Sequence, residues 1–243
     1  MSNQSTNSLY TEALSWLRDM GCDEPVNDIK RTFYGLRSKE NISKVHFNNI
    51  NIKSKSIKSS IDSIGNINDL NDYVRLNLLP NNTSLYSKFA FFDGYEEADL
   101  MIIGDKPDSL DIKIGKPFQG EIGNLLNAML KAISFNRSNT FFTNIHFYNT
   151  DIQIDISLQI VKKQIEIVKP KIIVLLGAEA TKSLLKIDKG IFQTRGKWFG
   201  IENSITNSVL PCISMFHPRY VLAHPHSKKE TWLDLQAIRD KLS

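Results

Sequence analysis

The stretch Ala98-Asp99-Leu100-Met101-Ile102-Ile103-Gly104-Asp105-Lys106-Pro107-Asp108 predicts how this chain folds. Its apolar run before Gly104 is short and partly β-branched, which is typical of a strand buried on both faces. Gly104 permits unusual backbone angles, and Pro107 stiffens the loop that carries Asp105 and Asp108. Ligands of open α/β sheets bind at the carboxyl ends of the strands, so this acidic loop is a candidate site. An ordinary solvated loop is the alternative.

The composition is that of a folded protein with a mild excess of positive charge. The chain has 243 residues, 41% of them hydrophobic, and a formal net charge of +4. This length can bury one substantial core, and the charge is compatible with a polyanionic partner without identifying one. The two cysteines, Cys22 and Cys212, are too few for a disulfide framework or a four-cysteine metal site. No secretion signal or membrane-length apolar run is recognised, so we expect a cytoplasmic protein that does not bind membranes.

Strand and helix patterns alternate along the chain after residue 89. Apolar segments typical of strands lie at residues 100–103, 140–145, 171–176 and 209–216. Helical periodicity is present at residues 121–133, 157–168, 178–185 and 230–242. This alternation predicts an α/β fold, a three-layer α/β/α sandwich around a mainly parallel central sheet.

The N-terminal third has a different character. Residues 9–20 and 67–79 have helical spacing, and residues 30–60 are rich in lysine, asparagine and serine. We interpret residues 1–80 as a helical and basic low-complexity extension, and residues 81–243 as the folded domain. The basic segment is either a solvated spacer or an arm that neutralises nucleic-acid phosphates.

Four clusters of residues that could bind a ligand or take part in catalysis follow the predicted strands. They are Gly104–Asp108, Gly115–Leu126, Thr143-Asn144 and Phe216–Leu222. The ring of Phe118 could stack on a planar ligand, and the amide of Asn144 offers a donor and an acceptor to a base edge. His217 and Arg219 come directly after a strand. Each residue alone also has a structural explanation: a core anchor for Phe118, a turn for Asn144 and a buried imidazole for His217.

In order and spacing, these clusters resemble the motifs of the uracil-DNA glycosylase superfamily, most nearly its family 4. The Gly-Glu-Ala-Pro-Gly motif of that family corresponds to Gly104–Asp108, and its Gly-Arg-Pro-Phe-Val-Gly loop corresponds to Gly115–Gly120. The remaining matches are Thr143-Asn144, Pro170–Gly177, Arg195–Trp198, His217–Leu222 and Trp232. The resemblance covers roughly two thirds of the chain and implies a uracil-DNA glycosylase-like domain at residues 81–243.

The chain departs from the family pattern at several positions. Family 4 members hold a four-iron four-sulfur cluster with cysteines before the first motif and after the Thr-Asn strand. Residues 81–84 and 146–149 contain no cysteine, so the cluster is predicted absent and no metal or other cofactor is expected. The motif glutamate is shortened to Asp105, and Lys106 and Asp108 replace small residues. Misplacing a catalytic group by about an ångström can cost about a hundredfold in rate.

The resemblance implies an enzyme of base excision repair that hydrolyses the N-glycosidic bond of uracil in DNA. It assigns catalysis to Asp105 and His217, with Asp108 as a substitute for Asp105. The residues expected to bind the substrate are Gly104, Pro107, Phe118, Asn144 and Arg219. The expected partner is DNA that contains uracil, and we expect the protein to be a monomer.

Two other functions are compatible with the sequence. The altered first motif and the missing cysteines favour a catalytically impaired protein of the same fold that binds DNA or a protein partner. The retention of Phe118, Asn144 and His217 favours the enzyme. A nucleotide-binding α/β protein is less consistent, because the Gly115–Gly123 loop lacks both the Lys-Ser ending of a P-loop and the spacing of a dinucleotide fingerprint.

Overall fold

The computed structural model describes residues 60–78, 89–147, 154–203 and 208–242. Its strands are β1 (Asp93–Gly94), β2 (Leu100–Gly104), β3 (Thr140–Asn144), β4 (Ile172–Leu176), β5 (Trp198–Asn203) and β6 (Ser208–Met215). They form one sheet in the order β1-β3-β2-β4-β6-β5. The four central strands are parallel, and β1 and β5 are antiparallel edges. The predicted mainly parallel sheet is confirmed.

Helices cover both faces of this sheet. They are α1 (Ile67–Asn77), α2 (Ser109–Ile114), α3 (Gly120–Lys131), α4 (Ile154–Val168), α5 (Gly177–Leu185), α6 (Ile191–Thr194), α7 (Pro218–Ala223) and α8 (Lys228–Leu242). Helices α1, α4 and α5 pack into one apolar cluster, and α3, α7 and α8 pack into another. The three-layer sandwich is therefore confirmed. Within the described ranges, none of these helices has the length and apolarity needed to cross a membrane.

Strand β2 lies at the centre of the sheet, between β3 and β4, and every residue in it is buried. Its side chains alternate between the two layers, as the period of a strand requires. Met101 and Ile103 pack into the cluster with α1 and α4, whereas Leu100 and Ile102 pack into the cluster with α3 and α8. Each fully buried side chain of this size stabilises the fold by about 1.5–3 kcal/mol.

Helix α1, which lies in the predicted N-terminal extension, contributes buried side chains to an apolar cluster of the fold. Ile67, Leu70 and Val74 are fully buried on one face of the helix, which packs against α4. These few apolar positions in a polar segment are a weak sequence signal, and their burial depends on the tertiary contact. The predicted helix at 9–20 and almost all of the basic segment lie outside the described residues, so the division at residue 80 stays a prediction.

Candidate functional site

The carboxyl ends of β2 and β3 meet in register at one edge of the sheet. Gly104, the last residue of β2, pairs with Asn144, the last residue of β3. The pairing continues past both strands, because the N–H of Ile145 donates to the Gly104 carbonyl and the N–H of His146 donates to the Asp105 carbonyl, each at 2.9 Å. These bonds fix the backbone of the acidic loop relative to the amide of Asn144.

His217 and Asp105 face each other at this edge. Gly177 opens α5 beside the imidazole, and a Cβ at this glycine would lie 3.4 Å from the Cβ of His217. The Nε2 atom of His217 lies 3.6 Å from Oδ1 of Asp105, which is longer than a direct hydrogen bond. The side chains are 11% and 24% exposed, respectively, so solvent reaches both groups.

The backbone fixes which nitrogen of His217 carries the proton. Nδ1 accepts the backbone N–H of Arg219 at 3.1 Å, so the neutral ring is protonated at Nε2. Burial lowers the pKa of His217 from 6.5 to about 4; Arg219 also lowers it, whereas Asp105 and Asp108 oppose the shift. At neutral pH the ring is therefore uncharged and presents its Nε2–H on the side of Asp105.

The two carboxylates of the acidic loop have different partners. Asp108 is paired with Arg219, with 2.6 Å between Oδ1 and Nη2, whereas Arg219 Nη1 lies 3.9 Å from Oδ2 of Asp105. Asp105 also accepts the backbone N–H of Lys106 at 2.8 Å, and Pro107 is buried within the loop. Asp105 is thus the carboxylate that faces the imidazole, while Asp108 holds the guanidinium.

Asn144 carries a buried amide that has no partner in the described part of the chain. The residue is 1% exposed, and neither Oδ1 nor Nδ2 makes a hydrogen bond to a described residue. An unpaired buried polar group costs about 1–3 kcal/mol. A Cβ at Gly104 would lie 2.4 Å from Asn144 Oδ1 and 2.7 Å from Cζ of Phe118, so this glycine makes room for both side chains. The amide therefore has an unused donor and an unused acceptor beside an aromatic ring.

Phe118 is held in an unfavourable backbone conformation. Its φ of 56° lies in the left-handed region, which costs roughly 1–2 kcal/mol for a residue with a Cβ. Arg137 donates from Nη2 to the Phe118 carbonyl, and a Cβ at Gly123 would lie 1.9 Å from that oxygen. Phe118 is 3% exposed, and the centroid of its ring lies 6.1 Å from that of His217. Such strained positions persist where their surroundings hold them, and they are common at functional sites.

Asp111 connects the acidic loop to the Phe118 loop. Its Oδ2 accepts the backbone N–H of Asp108 at 3.0 Å, and its Oδ1 accepts that of Gln119 at 2.6 Å. Burial raises the pKa of Asp111, and these backbone bonds oppose the shift. Sequence analysis missed both Asp111 and Arg137. The spacing Asp108-x-x-Asp111 resembles a capping box and could have indicated Asp111. No local sequence pattern indicates Arg137.

The amide of Asn144 is closed off from solvent in this conformation, since both of its polar atoms are inaccessible. A cavity of about 450 Å³ lies elsewhere, between α1, residues 89–94 and Lys116, and it contains none of the predicted site residues. Any ligand of this amide must therefore first separate the side chains around it.

The residues present do not fit the iron-sulfur cluster that family 4 implies. The whole chain has two cysteines, where such a cluster takes four. Cys212 is buried in β6, and burial raises the pKa of its thiol to about 12, which disfavours the thiolate that a metal requires. The described ranges contain no group of three or more His, Cys, Asp or Glu side chains placed to hold a metal. We assign no step to a cluster.

Comparison with known proteins identifies the family. The sequence model of the family described as the uracil DNA glycosylase superfamily matches residues 91–236 of this chain. The type-4 uracil-DNA glycosylase of Sulfurisphaera tokodaii is 32% identical over 163 residues, which cover 61% of this chain and 72% of that protein. The enzyme of the same name from Archaeoglobus fulgidus is 28% identical over 156 residues, covering 60% and 77%. The match runs from β1 into α8 and includes every loop of the site, so this chain belongs to the uracil-DNA glycosylase superfamily, with relatives in family 4.

Proposed function

We propose that this protein removes uracil from DNA by hydrolysing the N-glycosidic bond. The observation that supports it most is the partnerless amide of Asn144, enclosed with Phe118 at the edge where Asp105 faces His217. The Watson-Crick edge of uracil has an N–H donor beside a carbonyl acceptor. These groups complement the Oδ1 and Nδ2 atoms of Asn144, whereas cytosine presents the reverse pattern.

The target nucleotide has to leave the base stack before its bond is reached. Extrusion costs a few kcal/mol and costs least for a mispaired or single-stranded base. In this proposal, the extruded uracil pairs with Asn144 and stacks on Phe118. Gly104 lacks a side chain and so leaves space for the side chains of Asn144 and Phe118, which contact the base in this proposal, and Pro107 stiffens the loop beside them. Arg219 contacts a phosphate of the same strand.

Cleavage moves the electron pair of the C1′–N1 bond onto the uracil ring. The negative charge spreads to a carbonyl oxygen of the uracil, which accepts a hydrogen bond from Nε2–H of the neutral His217. Positive charge develops on the sugar, where the carboxylate of Asp105 stabilises it and orients a water molecule. The water oxygen bonds to C1′, and its proton is released through Asp105.

The experiment compares uracil release by the wild type and by His217→Ala from a single-stranded oligonucleotide. Removing one donor to a developing oxyanion costs about 10²–10³ in rate, so we expect a loss of that size. Asp105→Asn should also lower the rate, since an amide does not accept the proton of the water. Thermal denaturation and binding to uracil-free DNA verify that each variant is folded. Wild-type protein that releases no uracil from either single-stranded or duplex DNA would refute the proposal.

The second candidate is a protein of the same fold that binds DNA without cleaving it. The shorter carboxylate of Asp105 favours this function, because a water held about an ångström out of place reacts much more slowly. The variant Asp105→Glu distinguishes the two candidates. Uracil release by this variant but not by the wild type would favour the binding function, whereas release by the wild type favours the enzyme.

A further inference from the structure

We infer that a cluster of exposed rings beside the site stacks on the bases that flank the extruded nucleotide in single-stranded DNA. The cluster, here called the aromatic platform, consists of Phe192, Tyr220, His224 and His226. Phe192 is 70% exposed, both histidines are exposed and Tyr220 is partly exposed. This inference rests on the proposed function, because it adds a second contact to the same DNA strand.

The rings of the platform contact one another in a continuous series. Phe192 meets Tyr220 edge-on, with centroids 5.9 Å apart. Tyr220 and His224 are stacked at 4.2 Å with an interplanar angle of 17°, and His224 meets His226 edge-on at 5.8 Å. Tyr220 packs against both Phe216 and His224, and these contacts hold the platform in place before any ligand arrives, which lowers the entropic cost of stacking on its most exposed ring, Phe192.

The platform begins at the catalytic edge of the sheet. The N–H of Tyr220 donates to the carbonyl of His217 at 2.8 Å. Phe216, the buried residue before His217, lies 4.8 Å from the ring of Tyr220 and 5.5 Å from that of Phe192. Tyr220 therefore lies in the first turn of α7, whose N-cap is His217, so the platform adjoins the residue that is proposed to contact the extruded base.

The charge around the platform favours a nucleic acid over an apolar protein surface. Between residues 186 and 229 the sequence has seven lysines and arginines and two acidic residues, Asp188 and Glu202; two of the cations, Arg195 and Arg219, are paired with Asp234 and Asp108. Positive charge attracts the phosphates, and aromatic rings accept any base on their faces. An exposed aromatic cluster with this charge is the combination that proteins use to bind single strands without sequence preference.

The test measures binding of a short oligothymidylate without uracil by fluorescence anisotropy. Loss of one stacking ring corresponds to a rise in Kd of about tenfold, which we expect for Phe192→Ala. Phe192→Trp should bind like the wild type, because it keeps a ring, whereas Phe192→Leu should bind like the alanine variant. Val209→Ala is the matched control: Val209 is 67% exposed but lies at the amino end of β6, away from the site, so its removal should leave Kd unchanged.

A second probe separates stacking from phosphate contact. On an oligonucleotide of the same length in which the bases are absent, the wild type and Phe192→Ala should bind equally well. An alanine variant that binds oligothymidylate like the wild type, or that weakens on both probes alike, would overturn the inference. So would unchanged DNA binding together with loss of self-association, which would assign the platform to a contact between copies of the chain. Because neither probe contains uracil, a wild type without glycosylase activity would refute the proposed function and leave this test intact.

Discussion

The amide of Asn144 is the group in the site that a ligand would stabilise most, because a ligand can supply its missing hydrogen bonds. Its donor and acceptor are both buried and unpaired within the described residues. A base with the complementary edge satisfies both at once, whereas a base with the reverse edge leaves both unpaired, and this difference is a strong source of selectivity.

Replacing Asn144 by aspartate should therefore weaken the preference for uracil over cytosine. A carboxylate only accepts hydrogen bonds, so it opposes the O4 atom of uracil and can accept from the amino group of cytosine. We expect the ratio of uracil to cytosine release to fall by at least about tenfold, measured on matched single-stranded oligonucleotides. Asn124→Asp, at an exposed position of α3, is the control and should leave the ratio unchanged. An unchanged ratio in Asn144→Asp would remove this residue from base recognition.

His217 should make stability depend on pH. Its pKa of about 4 in the folded protein lies below the ordinary 6.5, so the unfolded chain takes up the proton first as pH falls. The stability that the neutral ring contributes is complete above pH 6.5 and is lost as pH falls toward 4. The loss is at most about 1.4 kcal/mol per pH unit.

Urea denaturation of the wild type and His217→Gln across this pH range isolates that contribution. The difference in unfolding free energy between the two proteins should shrink as pH falls. Titrating groups other than His217 are present in both proteins, so their contributions cancel from the difference. A difference that is constant with pH would show that the imidazole ionises alike in the folded and unfolded states.

Some of these residues could be located from the sequence and others could not. Asp105 and His217 follow strands of a parallel sheet and Asn144 is the last residue of one, so the strand pattern alone predicts their common edge. The functions of these residues stay predictions. Asp111 and Arg137 act through hydrogen bonds to loop backbone, and Arg137 reaches a carbonyl that lies many residues away in the chain. Such contacts leave no local pattern.

At the scale of elements, the short helix α2 and the loop before α3 are connected by one side chain. Asp111 accepts backbone hydrogen bonds from Asp108 and Gln119, at the two ends of this segment. Asp111 thus influences the position of the Phe118 ring relative to Asp105. It does so through hydrogen bonds to the backbone of neighbouring residues and not to either side chain.

Asp111→Asn should misalign the two loops. The amide keeps the size of the side chain, but its Nδ2 opposes a backbone N–H and leaves that donor unpaired, at a cost of about 1–3 kcal/mol. We expect a lower unfolding free energy by that amount and slower single-turnover uracil release. Asp155→Asn, at an exposed position in the first turn of α4, is the matched control. Wild-type stability and rate in Asp111→Asn would contradict this role.

Long elements were predicted from the sequence more successfully than short ones. The periodicity of α3, α4 and α8 extends over several turns, so tertiary contacts are not needed to recognise them. Helices α2, α6 and α7 have six residues or fewer. Strand β5 was not predicted either, because it forms by antiparallel pairing with β6 and its sequence was interpreted only as a motif. Elements of this kind depend on their neighbours in space.

At the scale of the whole molecule, α1 packs into the apolar cluster that covers one face of the sheet. Leu70, in α1, is fully buried in the cluster shared with α4, whereas Leu76, in the same helix, is 66% exposed. Leu70→Ala should lower the unfolding free energy by about 2–5 kcal/mol, and Leu76→Ala should change it by less than about 0.5 kcal/mol. Urea denaturation measures both. Equal effects of the two substitutions would show that α1 is a peripheral element that adds little to the stability of the fold.

The burial of Cys212 has a consequence for the chemistry of the chain. This thiol lies in β6, paired with Ile173 of β4 on one side and with Phe199 of β5 on the other. An alkylating reagent or a peroxide reaches the sulfur only when the strand leaves the sheet. The side chain is therefore protected from oxidative damage while the protein is folded. The rate at which it is modified measures how often β6 separates from the sheet.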